Sequence, residues 1–359
     1  MAHPDIPQTQ RAFVVVEPKP GSELLLKSDH PVAKPDALLP GQCLVKIEYS
    51  GVCHSDLTIR KGLFPNGQKT NLVGGHEGVG VVVAIGQGTT ANHLKLGDRV
   101  GVKFMVDACA NCEQCLKGAE SFCPFMKKGG HNTDGTFCEY VLSYVNHVTL
   151  IPDGLSSEAA SAIMCAGITV YSALKHCGAR IGDWVVLPGS GGGLGHLAVQ
   201  YAVAMGIRVL AIDTGEEKKK LTLSLGAEKW IDFKEAGENL IQQVVAATDG
   251  GPHAAIVTAS NGTAYNQAVM YLRTLGTLMC VGLPLANLNV PIPIIAVKGL
   301  TIRGCFVANR QDSNEAVRIA ASGKVKCNYS VRGFSELPAI FDEMDKGQIV
   351  GRVVLDINK

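Results

Sequence analysis

Five glycines crowd into seven residues, Gly189-Ser190-Gly191-Gly192-Gly193-Leu194-Gly195, between two apolar runs. The run before them, Trp184–Pro188, has the length and composition of a short buried strand; the run after them, residues 195–205, reads as a buried helix. A strand that turns on glycines directly into a helix opens a βαβ unit, because glycine permits the sharp turn and a close backbone approach to a bound group. A second strand, Arg208–Asp213, ends on an acid 18 residues after Gly195. The unpaired N–H groups of such a helix start suit a pyrophosphate, and an acid at the next strand end can accept ribose hydroxyls. Gly192, Gly193, Leu194, Gly195 and Asp213 are therefore candidate dinucleotide contacts. The charge of Asp213 repels the extra phosphate of NADP and so favours NAD. The spacing is not a strict G-x-G-x-x-G, since Ser190 stands at the usual first glycine. A glycine-rich turn beside an ordinary surface aspartate is the bland alternative; strand, helix and acid in register weigh against it.

Further apolar strands at residues 254–258 and 277–282 continue the alternation and predict a parallel sheet with helices around it, an α/β fold. Residues 11–160 follow another grammar. Short Val/Ile runs at 12–16, 42–49, 78–85 and 99–104 are separated by Gly, Pro, Asn and Asp, which predicts an all-β region, a barrel with long loops. A chain of 359 residues has room for two domains. Its 33 basic and 32 acidic residues nearly cancel, so neither nucleic acid nor a membrane surface is expected as a partner. Met1 to Gln10 lacks the pattern of a secretory or transit peptide, and the apolar stretch 278–297 is broken by Pro284, Asn287, Asn289, Pro291 and Pro293. The expectation is a cytoplasmic protein. Its 12 cysteines are then better read as metal or catalytic residues than as disulfides.

Cys109, Cys112, Cys115 and Cys123 form C-x2-C-x2-C-x7-C. Thiolates at this spacing turn back onto one tetrahedral zinc, and four of them leave no open position, which predicts a structural ion that holds its lobe. An iron–sulfur cluster is the alternative ligand for such a set. Cys53, His76 and Cys165 are scattered, and each alone reads as a core cysteine or a loop histidine. As a set they fit a catalytic zinc, two thiolates and an imidazole with the fourth position open to water or substrate.

With these motifs together the chain resembles the medium-chain zinc-dependent alcohol dehydrogenases, most nearly the yeast-type fungal members. The likeness runs over residues 11–354 and is most specific at 51–56, 73–80, the cysteine lobe, 165–171, 192–200 and 348–354. It implies a GroES-like β-barrel catalytic domain over residues 1–167, to which 307–359 return, and a Rossmann doubly wound coenzyme domain over 168–306. It implies two zinc ions per chain, with Cys53, His76 and Cys165 on the catalytic one and Glu77 as an alternate ligand. It gives Asp56 the part of orienting the ligand histidine. His54 and Arg352 resemble the pair that neutralises the NAD pyrophosphate, and Lys218 the base that helps Asp213 hold the adenosine ribose. Phe64 and Phe104 stand where the yeast-type enzymes carry pocket tryptophans, and smaller rings imply a roomier pocket. A homotetramer is implied as well.

The activity implied is reversible hydride transfer between a primary or secondary alcohol and NAD, giving an aldehyde or ketone. Ser55, two residues after Cys53, is placed to take the alcohol proton. Thr58 occupies the position of the usual relay histidine and cannot act as a base near neutral pH, so the proton must leave by another route. A zinc polyol dehydrogenase on the same fold, a zinc-free quinone-reductase-like or crystallin-like relative and a non-catalytic NAD-binding relative are the competing readings.

Overall fold

The structure, a computed structural model, describes residues 6–64, 67–90, 93–349 and 351–359. Residues 1–5 of the N-terminal stretch, and residue 350 within 348–354, lie outside them. The chain divides into two compact units. One comprises Met1–Cys165, Asn309–Arg318 and Cys327–Lys359; the other comprises Ala166–Ala308 and Ile319–Lys326. Among the described residues no single helix is long and apolar enough to cross a membrane.

The second unit is built on a six-stranded parallel sheet. Its order is Lys229–Asp232, Arg208–Asp213, Trp184–Pro188, Ala254–Val257, Thr277–Cys280, Thr301–Gly304. The first strand in sequence lies inside, and the order reverses beside it, as in doubly wound sheets that bind a ligand at the carboxyl ends of their strands. Trp184–Pro188 and Ala254–Val257 are buried at every position, which explains their unbroken apolar sequences. The helix Gly195–Ala204 packs on this sheet with eight of its residues buried.

The first unit carries an antiparallel barrel-like sheet centred on Gln42–Val52, which pairs with Gly78–Ile85, Tyr140–Tyr144 and Arg352–Asp356. Two irregularities in its register with Gly78–Ile85, between Leu44 and Val45 and between Ile47 and Tyr49, increase its curvature. The strand outruns the predicted 42–49 by three residues because Val353 and Val354, from the far end of the chain, pair with Val52 and Gly51. Phe13, Val45, Ile47, Val102, Phe137, Phe341 and Leu355 form part of its core. The segment that carries the four-cysteine motif contains the one-turn helix Glu113–Leu116 and the 3-10 turn Glu120–Phe122, and is flanked by a short pairing of Met105–Asp107 with Lys127–Lys128.

Candidate metal and dinucleotide sites

Cys53 follows the last residue of the central strand, Val52, and caps the helix His54–Arg60. Asp56, in the first turn of that helix, accepts the Cys53 N–H through Oδ2 at 2.9 Å and meets His76 Nδ1 through Oδ1 at 2.8 Å. One buried carboxylate thus fixes both a cysteine backbone and an imidazole. It also directs the His76 proton to Nδ1, which leaves Nε2 as the donor atom for a metal. His76 sits in the turn between Leu72–Val73 and Gly78–Ile85, and Cys165 follows the helix Ser157–Ile163. Ligand atoms of Cys53, His76, Glu77 and Cys165 all lie within 4.8 Å of one another. The structure brings these four predicted residues together from three separate segments.

Glu77 is fully buried, and the buried Arg352 donates to both of its carboxylate oxygens. The resemblance assigned Arg352 to a pyrophosphate; in this structure its side chain is on Glu77. A Cβ on Gly51 would lie 2.0 Å from Glu77 Oε2, so the glycine before Val52 makes room for this carboxylate. Burial pushes Glu77 up to about 7 against the pull of the Arg352 guanidinium. Cys53 is held well below the usual thiol range, first by the hydrogen bond from Cys165; burial opposes this, and the His76 ring and Arg352 add to it. Burial alone would lower His76, but the Asp56 carboxylate raises it well above the ordinary imidazole value. These are the electrostatics of a donor set that expects a cation.

Ser55 is half-buried and His54 exposed at the start of the same helix. The Thr58 hydroxyl donates back to the His54 carbonyl at 3.0 Å. Phe64 and Phe104 lie with ring centroids 5.9 Å apart, and Phe104 stands edge-on to His76 at 5.2 Å. A residue that sequence reasoning missed joins them: His131 is fully buried, 5.2 Å from the Phe64 ring and 6.3 Å from Phe104. Its mark in the sequence was a flank of two glycines, Gly129 and Gly130, like the Gly74 and Gly75 that precede His76.

In the cysteine lobe the Cys123 sulfur lies 3.8 Å from that of Cys112 and 3.6 Å from that of Cys109, and the sulfurs of all four cysteines fall within 4.8 Å of one another. The Asn111 and Cys112 N–H groups lower Cys109 to about 7. Glu120 ties the lobe to Arg310, accepting from its Nε at 2.7 Å and its N–H at 3.0 Å.

In the glycine turn, Gly189 N–H bonds the Ile212 carbonyl at 2.9 Å, which seats the turn over the neighbouring strand. A Cβ on Gly195 would lie 2.1 Å from the Gly189 carbonyl oxygen, and one on Gly191 would strike the Lys218 stem at 2.6 Å. By contrast a Cβ on Gly192 would meet only the Gly189 carbonyl oxygen, at 3.3 Å. Its outer side is open, as a backbone cradle for a phosphate requires. Asp213 accepts from Gly191 N–H, Thr214 N–H and Lys218 Nζ at 2.8–2.9 Å, so acid, base and turn form one assembly.

Comparison with known proteins agrees with this geometry. Residues 39–153 match the family model described as alcohol dehydrogenase GroES-like domain, and residues 193–322 match that described as zinc-binding dehydrogenase. The chain is 45% identical over 355 residues to an alcohol dehydrogenase of Schizosaccharomyces pombe, covering 99% of each chain. It is 43% identical over 358 residues to alcohol dehydrogenase 1 of Neurospora crassa, again covering 99% of each. Among solved structures, acetophenone reductase from Geotrichum candidum in complex with NAD is similar with a TM-score of 0.83 and 28% identity, over 99% of both chains.

Proposed function

The chain belongs to the medium-chain zinc-dependent alcohol dehydrogenases, close to the fungal type, and from that membership we propose that it interconverts primary and secondary alcohols with aldehydes and ketones using NAD. The observation that carries the reading is the convergence of Cys53, His76 and Cys165, with Glu77 beside them, on one point. Two thiolates and an imidazole fit zinc and leave a coordination position open. Zinc held there supplies a Lewis acid that polarises an alcohol or carbonyl oxygen. NAD supplies the hydride acceptor, and its chemistry is its own.

The chain's residues do the rest. The Ser55 hydroxyl takes the alcohol proton. Asp56 keeps His76 in the tautomer that presents Nε2. Glu77, poised by burial and Arg352, is the alternate ligand when the open position exchanges. His54 and Arg352 face the pyrophosphate of bound NAD, and for Arg352 this requires release from Glu77. Gly192, Gly193, Leu194 and Gly195 hold the pyrophosphate, while Asp213 and Lys218 hold the adenosine ribose. Phe64 and Phe104 wall the alcohol's carbon chain.

The same reading assigns residues 1–167 and 307–359 to the catalytic domain and 168–306 to the coenzyme domain. It assigns two zinc ions per chain, the second on Cys109, Cys112, Cys115 and Cys123, a cytoplasmic location and a homotetramer. Self-association is supported by Thr301–Gly304, exposed throughout at the end of its sheet, and by the exposed Leu285, Ile292 and Val297, which precede it in the sequence. A panel of alcohols with NAD and NADP, followed by nicotinamide absorbance, tests the function. Turnover with NAD in preference to NADP, lost in Cys53→Ser, is expected. Wild-type turnover in Cys53→Ser would remove the catalytic zinc from the account.

A further inference from the structure

The strands Arg208–Asp213 and Lys229–Asp232 run parallel, and both end on an acid: Asp213 and Asp232 are partners in the register. Their side chains leave the same face of the sheet, from strands about 4.8 Å apart. One loop is stitched to both. Asp213 accepts the Thr214 N–H at 2.9 Å, and Asp232 accepts the Gly215 N–H at 3.0 Å. On its other side Asp213 accepts the N–H of Gly191, in the glycine turn, at 2.9 Å. Asp213 thus stands between the turn assigned to the pyrophosphate and a second acid. The Gly215 N–H holds Asp232 below the ordinary carboxylate range; desolvation opposes this, and the N–H groups of Lys234 and Glu235 and the Thr214 hydroxyl add to it. Beside the loop lies a cavity of about 400 Å³, lined among others by Gly215, Glu216, Lys219, Trp230, Asp232 and Glu235. Three carboxylates line it against one ammonium, and Lys219 already lies 3.9 Å from Glu216. Lys218 is engaged as well, 2.8 Å from Asp213. The space beyond the first acid is therefore roomy, and its charge is negative.

We propose that Asp232 is a second determinant of coenzyme choice, which excludes a dinucleotide bearing a 2′-phosphate by charge and not by want of space. The inference rests on the reading of Asp213 as the acid that holds the adenosine ribose. The glycine turn occupies one side of Asp213, so a phosphate on the ribose hydroxyl extends to the other, toward the end of the next strand. There it meets the charge of Asp232. Asp232 also takes up the Gly215 N–H, a backbone donor that a phosphate would use. Removing Asp213 alone frees Lys218 for the phosphate but leaves the second charge in place. Charges in a solvated cleft interact modestly and are screened by salt, so the effect is a few-fold in affinity and falls as ionic strength rises.

The test is the equilibrium Kd of NADH and of NADPH, read by nicotinamide fluorescence on the zinc-loaded enzyme without alcohol. It compares the wild type, Asp213→Gly and the double variant Asp213→Gly with Asp232→Asn. Asparagine keeps an acceptor oxygen for the Gly215 N–H and caps the helix Phe233–Ala236 as well as aspartate does, so the second substitution removes charge alone. The expected result is an NADPH affinity about three- to tenfold higher in the double variant than in Asp213→Gly, with NADH affinity unchanged within about twofold. The gain shrinks toward none in about 1 M salt. No gain for NADPH, an equal gain for NADH, or a gain that persists in high salt overturns the proposal while leaving Asp213 on the ribose. An NADPH-to-NADH ratio in Asp213→Gly equal to that of the wild type overturns the ribose reading, and this one with it.

Discussion

Asp56 serves two ligands with one carboxylate, and its charge is what sets the His76 tautomer. In Asp56→Asn the side-chain oxygen can still accept the Cys53 N–H, but an amide N–H then faces His76 Nδ1. The imidazole proton moves to Nε2, the atom needed for the metal. Zinc affinity is expected to fall about 10–100-fold, with turnover falling alongside and melting little changed. Competition against a chelator measures it, and wild-type affinity in the variant would deny Asp56 this part. Ser190 offers the opposite case. It is fully buried in the glycine turn, and its hydroxyl has no hydrogen-bond partner among the described residues. An orphan hydroxyl is destabilising, so Ser190→Ala is expected to leave stability unchanged or raise it by about 1 kcal/mol. A clear drop in melting temperature would mean that the hydroxyl is satisfied in solution.

At the scale of elements, a segment was legible when its cause lay in its own residues. Gly78–Ile85, Trp184–Pro188 and Arg208–Asp213 were read with the bounds the structure gives, because a run of buried β-branched residues between glycines declares itself. The last three residues of Gln42–Val52 and the Glu77–Arg352 pair were hidden for one reason: their partners lie some 300 residues away, and no local pattern announces such a pairing. His131 was hidden because a histidine in a loop after two glycines has no periodicity to announce it. The cysteine lobe is legible for the converse reason, since it has little helix or strand of its own and its organisation is the cysteine spacing. Its small elements make few apolar contacts to replace a lost ligand; Leu116 and Phe125 are largely exposed. Cys112→Ala is therefore expected to reduce bound zinc from two ions toward one and to lower the melting temperature, with the Cys53–His76–Cys165 chemistry surviving at low temperature. Unchanged metal content together with unchanged melting would count against a structural ion.

For the molecule as a whole, each unit contains a histidine held neutral. In the second unit His253 accepts the Trp184 N–H on Nδ1 at 3.0 Å and lies beside Arg273 and Asp183; burial, then Arg273, lowers it. In the first unit His147 is lowered to about 3, by burial first and then by Lys103, Arg310 and Lys127. Asp107 stands 3.5 Å from it but is also engaged by Lys127 at 3.1 Å, so it does not reverse the shift. Both folded values lie below the unfolded one, so the unfolded chain binds more protons as the pH drops through about 6.5. Stability present at pH 7 is then lost progressively toward pH 3. For His147 alone the loss at pH 5 is about 2 kcal/mol. The 33 basic and 32 acidic residues nearly cancel while histidine is neutral, but the chain has ten histidines that gain charge in this range, so a variant at His147 is needed to separate its contribution from general charge repulsion. Melting temperatures at pH 7.5 and pH 5.0 are expected to differ by several degrees in the wild type and by less in His147→Gln, which keeps the backbone carbonyl that Lys103 bonds but cannot take a proton. Equal drops in the two proteins would show that the acid sensitivity of this unit arises elsewhere.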